Sequence, residues 1–422
     1  MGAISRVSEL VQLAESLTRS GQAEDAHRAW QRVLAADPEN PRALFAMGGR
    51  ALRLGDPRSA RDHLLRAAQS APGEPGIQVN LAIVCRALGD TDGETHALDR
   101  ALAIEETLQV LLLKAALLER TGQTKAAARI YRRALAIAPP LRELSDDAAL
   151  TLARGRELVE SQADELEAFL KDRLSALRMR NAWLPLDRFD EALGIAAGKK
   201  KIYTQKPAQL FYPGLPAIPF YDESQFPWLR HLEAAAPAIR DELTGLVAEE
   251  MDDFTPYVLK PENVPVQQWG ELNRSTKWSA YFLWQDGARV AEHCARCPVT
   301  AEALDHSPMA KMPGYAPTAF FSSLEPHVRI PAHTGSTNVR LIVHLPLIVP
   351  GRCFFRVANE TREWKAGRAW VFDDSIEHEA WNDSDGQRVI LIFDIWNPYL
   401  SEAERELVCE MQKSLGEFYR ST

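Results

Sequence analysis

The sequence is short of several things, and each scarcity excludes a class of protein. Its 422 residues include only five cysteines, Cys85, Cys294, Cys297, Cys353 and Cys409. That is too few for a disulfide scaffold, so a reducing compartment and a cytoplasmic location are expected. No apolar run approaches the roughly 18 residues that span a bilayer. The opening residues, MGAISRVSELVQLAESL, lack the apolar centre of a secretory signal because Glu9 and Glu15 interrupt it. No G-x-G-x-x-G or P-loop run occurs, which argues against nucleotide-driven chemistry. Positive charge is not in excess either. The net charge of −9 argues against general binding to a phosphate backbone. Neither a membrane nor a nucleic acid is expected as a partner.

What is present is ordinary globular composition, 46% hydrophobic and 25% charged, over a length that suggests two or three domains. The first third is periodic. Gly-polar pairs recur at Gly21-Gln22, Gly55-Asp56, Gly89-Asp90 and Gly122-Gln123, spaced 34, 34 and 33. Other positions keep the same register: Ala26, Ala60 and Ala127, with Glu94 breaking that series; Trp30, Leu64, Leu98 and Tyr131; Val33, Ala67, Ala101 and Ala134. Pro38, Pro72 and Pro139 close three of the units. Each unit reads as two amphipathic helices, with glycine at the turn and proline stopping the second helix. A single pair cannot bury its apolar face, so four stacked pairs share one core. The period resembles the tetratricopeptide repeat.

Residues 141–204 read as a helical cap followed by a linker, with leucines from Leu150 to Leu177 at roughly helical spacing. Lys199, Lys200 and Lys201 read as a solvated stretch of that linker. Beyond residue 205 the texture changes. Prolines and aromatics appear, as in Phe211-Tyr212-Pro213-Gly214-Leu215, then a helix over 229–252. Short strand-like runs follow at 278–284, 318–324, 338–346, 353–357, 369–373 and 388–396. Short strands separated by turns point to a sandwich or jelly roll.

Six of the ten histidines lie after residue 290. In the run from His333 to His344, strand alternation puts Asn338, Arg340, Ile342 and His344 on one face. An arginine and a histidine on an inward face need partners, which is the signature of a pocket. A second segment, Phe372-Asp373-Asp374-Ser375-Ile376-Glu377-His378, puts a histidine in a polar turn, with Arg388 starting the next strand. Two imidazoles with open positions suit iron(II) used for oxygen chemistry, and an arginine can clamp a dicarboxylate. The single C-x-x-C at Cys294 and Cys297 reads as incidental thiols in a loop, since no further zinc ligands stand nearby.

The run from Glu325 to Pro398 resembles the aspartyl/asparaginyl β-hydroxylase family of iron(II)- and 2-oxoglutarate-dependent oxygenases. The stretches that carry the likeness are Pro331-Ala332-His333-Thr334-Gly335-Ser336-Thr337-Asn338, Ala358-Asn359-Glu360-Thr361 and Phe372-Asp373-Asp374-Ser375-Ile376-Glu377-His378-Glu379. The resemblance implies an N-terminal all-α tetratricopeptide superhelix over 1–140. It implies a double-stranded β-helix, the cupin-like jelly roll, within an oxygenase domain over 205–422. It further implies Fe(II), 2-oxoglutarate and O2 as cofactor and cosubstrates, and hydroxylation of a C–H bond, first of all the β-carbon of Asp or Asn in a peptide or protein.

By the same resemblance, His333 and His378 match the metal ligands. Gly335 stands where most 2-oxoglutarate oxygenases have a carboxylate, an absence typical of this family. Arg388 and Ser322 match the groups that hold the distal carboxylate of 2-oxoglutarate, and His344 a residue near its metal-bound end. Arg340 matches a basic residue facing substrate or cosubstrate, and Trp284 a pocket wall. Asp373 and Asp374 are expected to hydrogen-bond the turn carrying His378. Two positions depart from animal members: Ile342 replaces a second arginine, and Asp286, on the substrate side, replaces a glutamine. These departures leave the substrate open. A lipid or small-metabolite hydroxylase and a non-catalytic repeat scaffold are the alternatives. The concave face of the repeats is expected to hold a peptide or protein substrate.

Overall fold

A computed structural model describes residues 2–249, 253–262 and 265–420. The chain divides into two compact units, Met1–Lys199 and Lys200–Thr422. Among the described residues, no helix is long and apolar enough to cross a membrane.

The first unit begins with four helix pairs: α1 (Gly2–Arg19) with α2 (Ala23–Ala36), α3 (Pro41–Arg53) with α4 (Pro57–Ser70), α5 (Pro75–Leu88) with α6 (Thr91–Ile104), and α7 (Leu108–Arg120) with α8 (Thr124–Ile137). The periodic glycines Gly21, Gly55, Gly89 and Gly122 all lie between φ 72° and 78°. Side chains with a Cβ avoid that left-handed conformation, so glycine makes each turn. The periodic alanines are buried, letting neighbouring helices approach closely. Glu94 breaks that series yet is only 3% exposed, and its carboxylate takes the Arg120 guanidinium from the next pair. Two more helices follow, α9 (Asp146–Arg180) and α10 (Asp187–Ala197). Lys199 is not free in a linker: it pairs with Asp164 and Glu167 on α9.

The second unit contains α11 (Leu229–Glu249), β1 (Thr255–Pro256), β2 (Trp278–Gln285), β3 (Ala288–Arg289), α12 (Ala291–Arg296) and α13 (Pro298–Asp305). It continues with β4 (Ala319–Leu324), β5 (Arg329–His333), β6 (Arg340–Ile348), β7 (Cys353–Val357), β8 (Glu360–Glu363), β9 (Trp370–Phe372), β10 (His378–Asn382), β11 (Arg388–Trp396) and α14 (Glu402–Arg420). Seven strands form one antiparallel sheet in the order β1-β2-β4-β11-β6-β9, with β3 pairing β2; a second sheet runs β5-β10-β7-β8. From β4 onward the chain passes back and forth between the sheets. One core lies between the large sheet and α11 and α13, and includes Ile239, Leu304, Phe321 and Leu391. The other holds the facing aromatics Trp278, Phe355, Trp364 and Phe372.

The structure differs from the sequence reading at three strands. β5, β8 and β10 are short, and β8 and much of β5 lack an apolar run because one face is exposed. Cys294 lies in α12, and Cys297 is the bend between α12 and α13. Both are buried in the core against α11, which explains apolar-type thiols there without redox chemistry. All five cysteines are free.

Gly155 of α9 lies against the Tyr131 ring of α8, and a Cβ there would be driven into that ring. Tyr131 is fully buried, with its hydroxyl donating to Glu119. Gly155→Val is therefore expected to destabilise the repeat unit by about 1–3 kcal/mol through overpacking. A lower urea midpoint with an unchanged m-value is the outcome to look for, and an unchanged midpoint would refute the contact.

Candidate functional site

A cavity of about 570 Å³ opens between the two sheets of the second unit. Alternation decides which side chains reach it. On β11, Arg388, Ile390, Ile392 and Asp394 point in; on β6, Arg340, Ile342 and His344 do the same. The antiparallel register sets Asp394 opposite Ile342 and Ile392 opposite His344. From β4 come Phe320 and Ser322, and from β2 Trp278. The smaller sheet contributes Phe355, His378 and Ala380, with His333 at the end of β5.

His333 and His378 are cross-strand partners in the β5–β10 pair, with ring centroids 4.1 Å apart. His378 thus starts a strand rather than sitting in a turn between strands. The two imidazoles meet through a single ladder. Each Nδ1 is tied to a backbone carbonyl, His333 to Pro331 at 2.7 Å and His378 to Ile376 at 3.0 Å. That bond assigns the proton to Nδ1 and leaves Nε2 as the lone-pair donor. Burial lowers the pKa of His333; burial and then the neighbouring His333 hold His378 well below the usual histidine range. Both are therefore neutral, the form that binds a metal. Among the described residues no group of three or more His, Cys, Asp or Glu is arranged to hold a metal.

The surroundings of Gly335 explain why no carboxylate is carried two residues after His333. A Cβ at this position would fall inside the Asp374 carboxylate. The Gly335 N–H donates to the Asp374 carbonyl at 2.7 Å, which holds the two turns together. Asp374 thus fills the volume that a side chain at 335 would occupy. Burial pushes its carboxyl up to about 7, opposed by the Arg340 guanidinium. Asp373 has a different task. It is fully buried and accepts from the Ser375 N–H at 3.0 Å, the Ser375 hydroxyl at 2.5 Å and Gln205 Nε2 at 2.6 Å. It fixes the turn before His378. The strap at 205–212 ties both histidine turns together. Lys206 N–H donates to Ser375 and Ala208 N–H to Gly335, while Asn338 bonds the backbone of Tyr212.

At the cavity floor Arg388 is 1% exposed, and its guanidinium lies 4.8 Å over the Trp364 ring. Among the described residues its hydrogen bond runs from Nη1 to the Ser322 carbonyl at 3.4 Å, and Nε has no partner. No carboxylate pairs with it among the described residues. Burial drops its pKa to about 9. Ser322 Oγ accepts from Trp278 Nε1 at 3.1 Å, so its own proton is free to donate. His344 Nδ1 is also buried without a partner, and burial together with Arg388 holds the ring well below the usual histidine range. The floor therefore presents several unmatched groups around one small volume, and they call for an anion. Arg340, by contrast, is matched: it pairs with buried Asp394 and donates to Ser336 Oγ at 3.2 Å.

Two expected pocket residues are elsewhere. Between Phe282 and Trp284 the register of β2 against β4 shifts, so that Trp284 faces Ala319. The bulge turns Trp284 onto the opposite face, where it packs in the core against α11 and under Arg289. Trp278 is the tryptophan that lines the cavity. Asp286 is exposed at the β2–β3 turn, at φ 50°. Sequence reading missed Asp394, although an acid in an apolar strand six residues after Arg388 shares its face. It also missed Tyr257, Leu259 and Trp269 at the mouth, which come from irregular segments with no period to read.

Residues 233–398 match the family model described as Aspartyl/Asparaginyl beta-hydroxylase, and residues 11–75 and 45–106 match tetratricopeptide repeats. The chain is 36% identical over 197 residues to an ornithine lipid ester-linked acyl 2-hydroxylase of Rhizobium tropici, covering 46% of this chain and 66% of that protein. It is 28% identical over 429 residues to an aspartyl/asparaginyl beta-hydroxylase of Mus musculus, covering 93% of this chain and 55% of that one. The Homo sapiens protein of the same name is 27% identical, with 93% and 53% covered. The chain thus spans about half the length of these two animal relatives.

The Gly335–Asp374 contact is open to a direct test. Gly335→Ala is expected to destabilise by about 1–3 kcal/mol. In the Asp374→Ala background the same change is expected to cost far less, a coupling of about 0.5–3 kcal/mol. Chemical denaturation of the four proteins measures it; additive effects would mean the two residues do not share that volume.

Proposed function

We propose that this chain, which carries an aspartyl/asparaginyl β-hydroxylase domain behind tetratricopeptide repeats, is an iron(II)- and 2-oxoglutarate-dependent hydroxylase of a C–H bond. In this reading residues 1–140 are the repeats, 141–204 the helical cap and linker, and 205–422 the oxygenase domain. The passage of β4–β11 back and forth between two antiparallel sheets supports a double-stranded β-helix. Five unpaired cysteines favour a reducing compartment such as the cytoplasm.

The observation that carries the reading is the unmatched guanidinium of Arg388, in the same cavity as two neutral histidines. A dicarboxylate answers both needs. Arg388 and Ser322 would hold its far carboxylate, and His344 would face its other end. His333 and His378 would hold the iron, which when bound with 2-oxoglutarate directs O2 to the substrate C–H bond as succinate and carbon dioxide form. The protein's own work is to orient and to exclude water. Trp278 positions Ser322, Trp364 covers Arg388, and Asp373 and the 205–212 strap hold the histidine turns. Arg340, balanced by Asp394, would lie on the substrate side.

For the substrate, the family name supports the β-carbon of Asp or Asn in a peptide held near the repeats. A second reading, an acyl chain, has its own support. Ile342 replaces a cation in the cavity, and Tyr257, Leu259 and Trp269 make an apolar mouth. A relative is named as an acyl hydroxylase. Mass spectrometry for +16 products in peptide and lipid fractions of a source lysate distinguishes the two.

His333→Ala and His378→Ala are each expected to abolish iron binding and 2-oxoglutarate turnover while leaving far-UV dichroism unchanged; unchanged iron affinity in both would reject the metal assignment. Arg388→Ala is expected to raise the 2-oxoglutarate requirement, since losing a buried charged contact costs on the order of 2–5 kcal/mol. Arg388→Lys should recover only part, because an ammonium cannot reproduce the fork. Equilibrium binding of 2-oxoglutarate to each variant decides it, and unaltered affinity would assign that carboxylate to another residue. A non-catalytic scaffold would lack the weak visible band of anaerobic iron(II) with 2-oxoglutarate.

A further inference from the structure

Arg329, Arg356, Glu377 and Glu379 cluster beside His378 but line no part of the cavity. His378 turns inward, and the acids on either side of it turn to the other face of the small sheet. Arg356 stands on β7 directly opposite Glu379, while Val357 faces His378. Its Nε donates to Glu379 Oε1 at 2.5 Å and its Nη2 to Glu377 Oε1 at 2.9 Å. One planar group thus holds both neighbours of the histidine. The Arg356 and Glu379 side chains are only 16% and 13% exposed, so this is a desolvated fork rather than a loose surface pair. Arg329 donates to the other oxygen of Glu379 at 2.5 Å, from the more exposed side.

A second set of bonds ties the same guanidinium to the turn after β7. Arg356 Nη1 donates to the Ala358 carbonyl at 2.6 Å and to the Tyr203 hydroxyl at 3.3 Å. Ala358 has φ 52°, which a residue with a Cβ adopts at a cost, and its N–H donates to the Glu377 carbonyl at 2.9 Å. The next residue, Asn359, is bonded in both directions to the Lys201 backbone. The stretches Ala358–Thr361 and Phe372–Glu379 therefore meet at one guanidinium, outside the cavity.

We infer that Arg356 is a positioning residue for His378: by bonding Glu377 and Glu379 together it fixes the backbone on both sides of the histidine, and so the direction of Nε2. Without the cation, two carboxylates on one face two residues apart would repel each other. The inference rests on the reading of His378 as a metal ligand and adds the group that aims it.

The test titrates the full chain with cobalt(II), read by its visible absorption bands, and measures the melting temperature without metal. Arg356→Ala is expected to weaken cobalt binding about 10–100-fold and to change the band pattern, at a temperature where the variant is folded. Arg356→Lys should recover only part, since an ammonium cannot bond both carboxylates in the geometry of the fork. Glu377→Gln, a milder change, should weaken binding by a smaller factor, and it decides the matter if Arg356→Ala does not fold. Arg329→Ala removes an ion pair to the same Glu379 without spanning His378, and should leave cobalt affinity and bands as they are. Wild-type affinity and bands in Arg356→Ala and Glu377→Gln, or equal losses in Arg329→Ala and Arg356→Ala, would overturn the proposal and leave the metal reading standing. A wild-type chain that binds no cobalt would overturn the metal reading, and this proposal with it.

Discussion

A guanidinium buried without a carboxylate is the constraint around which the second unit is arranged. Arg388 lies at the start of a central strand, covered by Trp364 and flanked by Ser322 and His344. Removing such a charge from water costs several kcal/mol unless something returns it. The protein returns little: one long hydrogen bond and a ring face. The deficit makes sense if an anion completes the site. A protein carboxylate at that spot would stabilise the empty fold and compete with the ligand.

The opposite solution stands on the neighbouring strand β6, paired with an acid six residues after Arg388 on β11. Arg340 is matched by Asp394, and Asp374 also faces that guanidinium. The cavity thus has one cation left open and one internally balanced. This division ranks the two ends of the cavity by what they can recognise. The Arg388 end can hold a full negative charge. At the Arg340 end, Ile342 and the balanced pair favour a neutral or apolar group.

Legibility in the sequence followed the range of the interactions. The repeats could be read because each unit is closed by local contacts, and glycine at φ above 70° leaves a mark at a fixed period. The histidines and Arg388 could be singled out by residue type and family likeness, but their geometry could not. His378 was read as a turn residue because β10 begins at that residue and alternates buried and half-buried positions, so no apolar run announces it. Trp284 is placed in the pocket wall by family likeness alone, and a bulge that no residue type in 278–285 signals turns it to the other face. One inserted residue reverses every side chain beyond it. The mouth aromatics come from segments without a period.

Gly335 and Asp374 show how a bare backbone position can be left without a gap in packing. Where a carboxylate two residues after the first histidine would project into the cavity, the backbone is bare, and Asp374 reaches across from the turn before the second histidine to fill that volume. The acid beside His333 is thus carried on residue 374 and not on residue 335. A carboxylate carried on residue 335 would be fixed by its own strand end. Carried on residue 374 it is positioned by a turn, which the Asp373–Ser375 bonds and the 205–212 strap hold in turn. The position of the acid at the site thus depends on a segment more than a hundred residues upstream in the chain. That long-range dependence makes the strap and the two histidine turns one structural element.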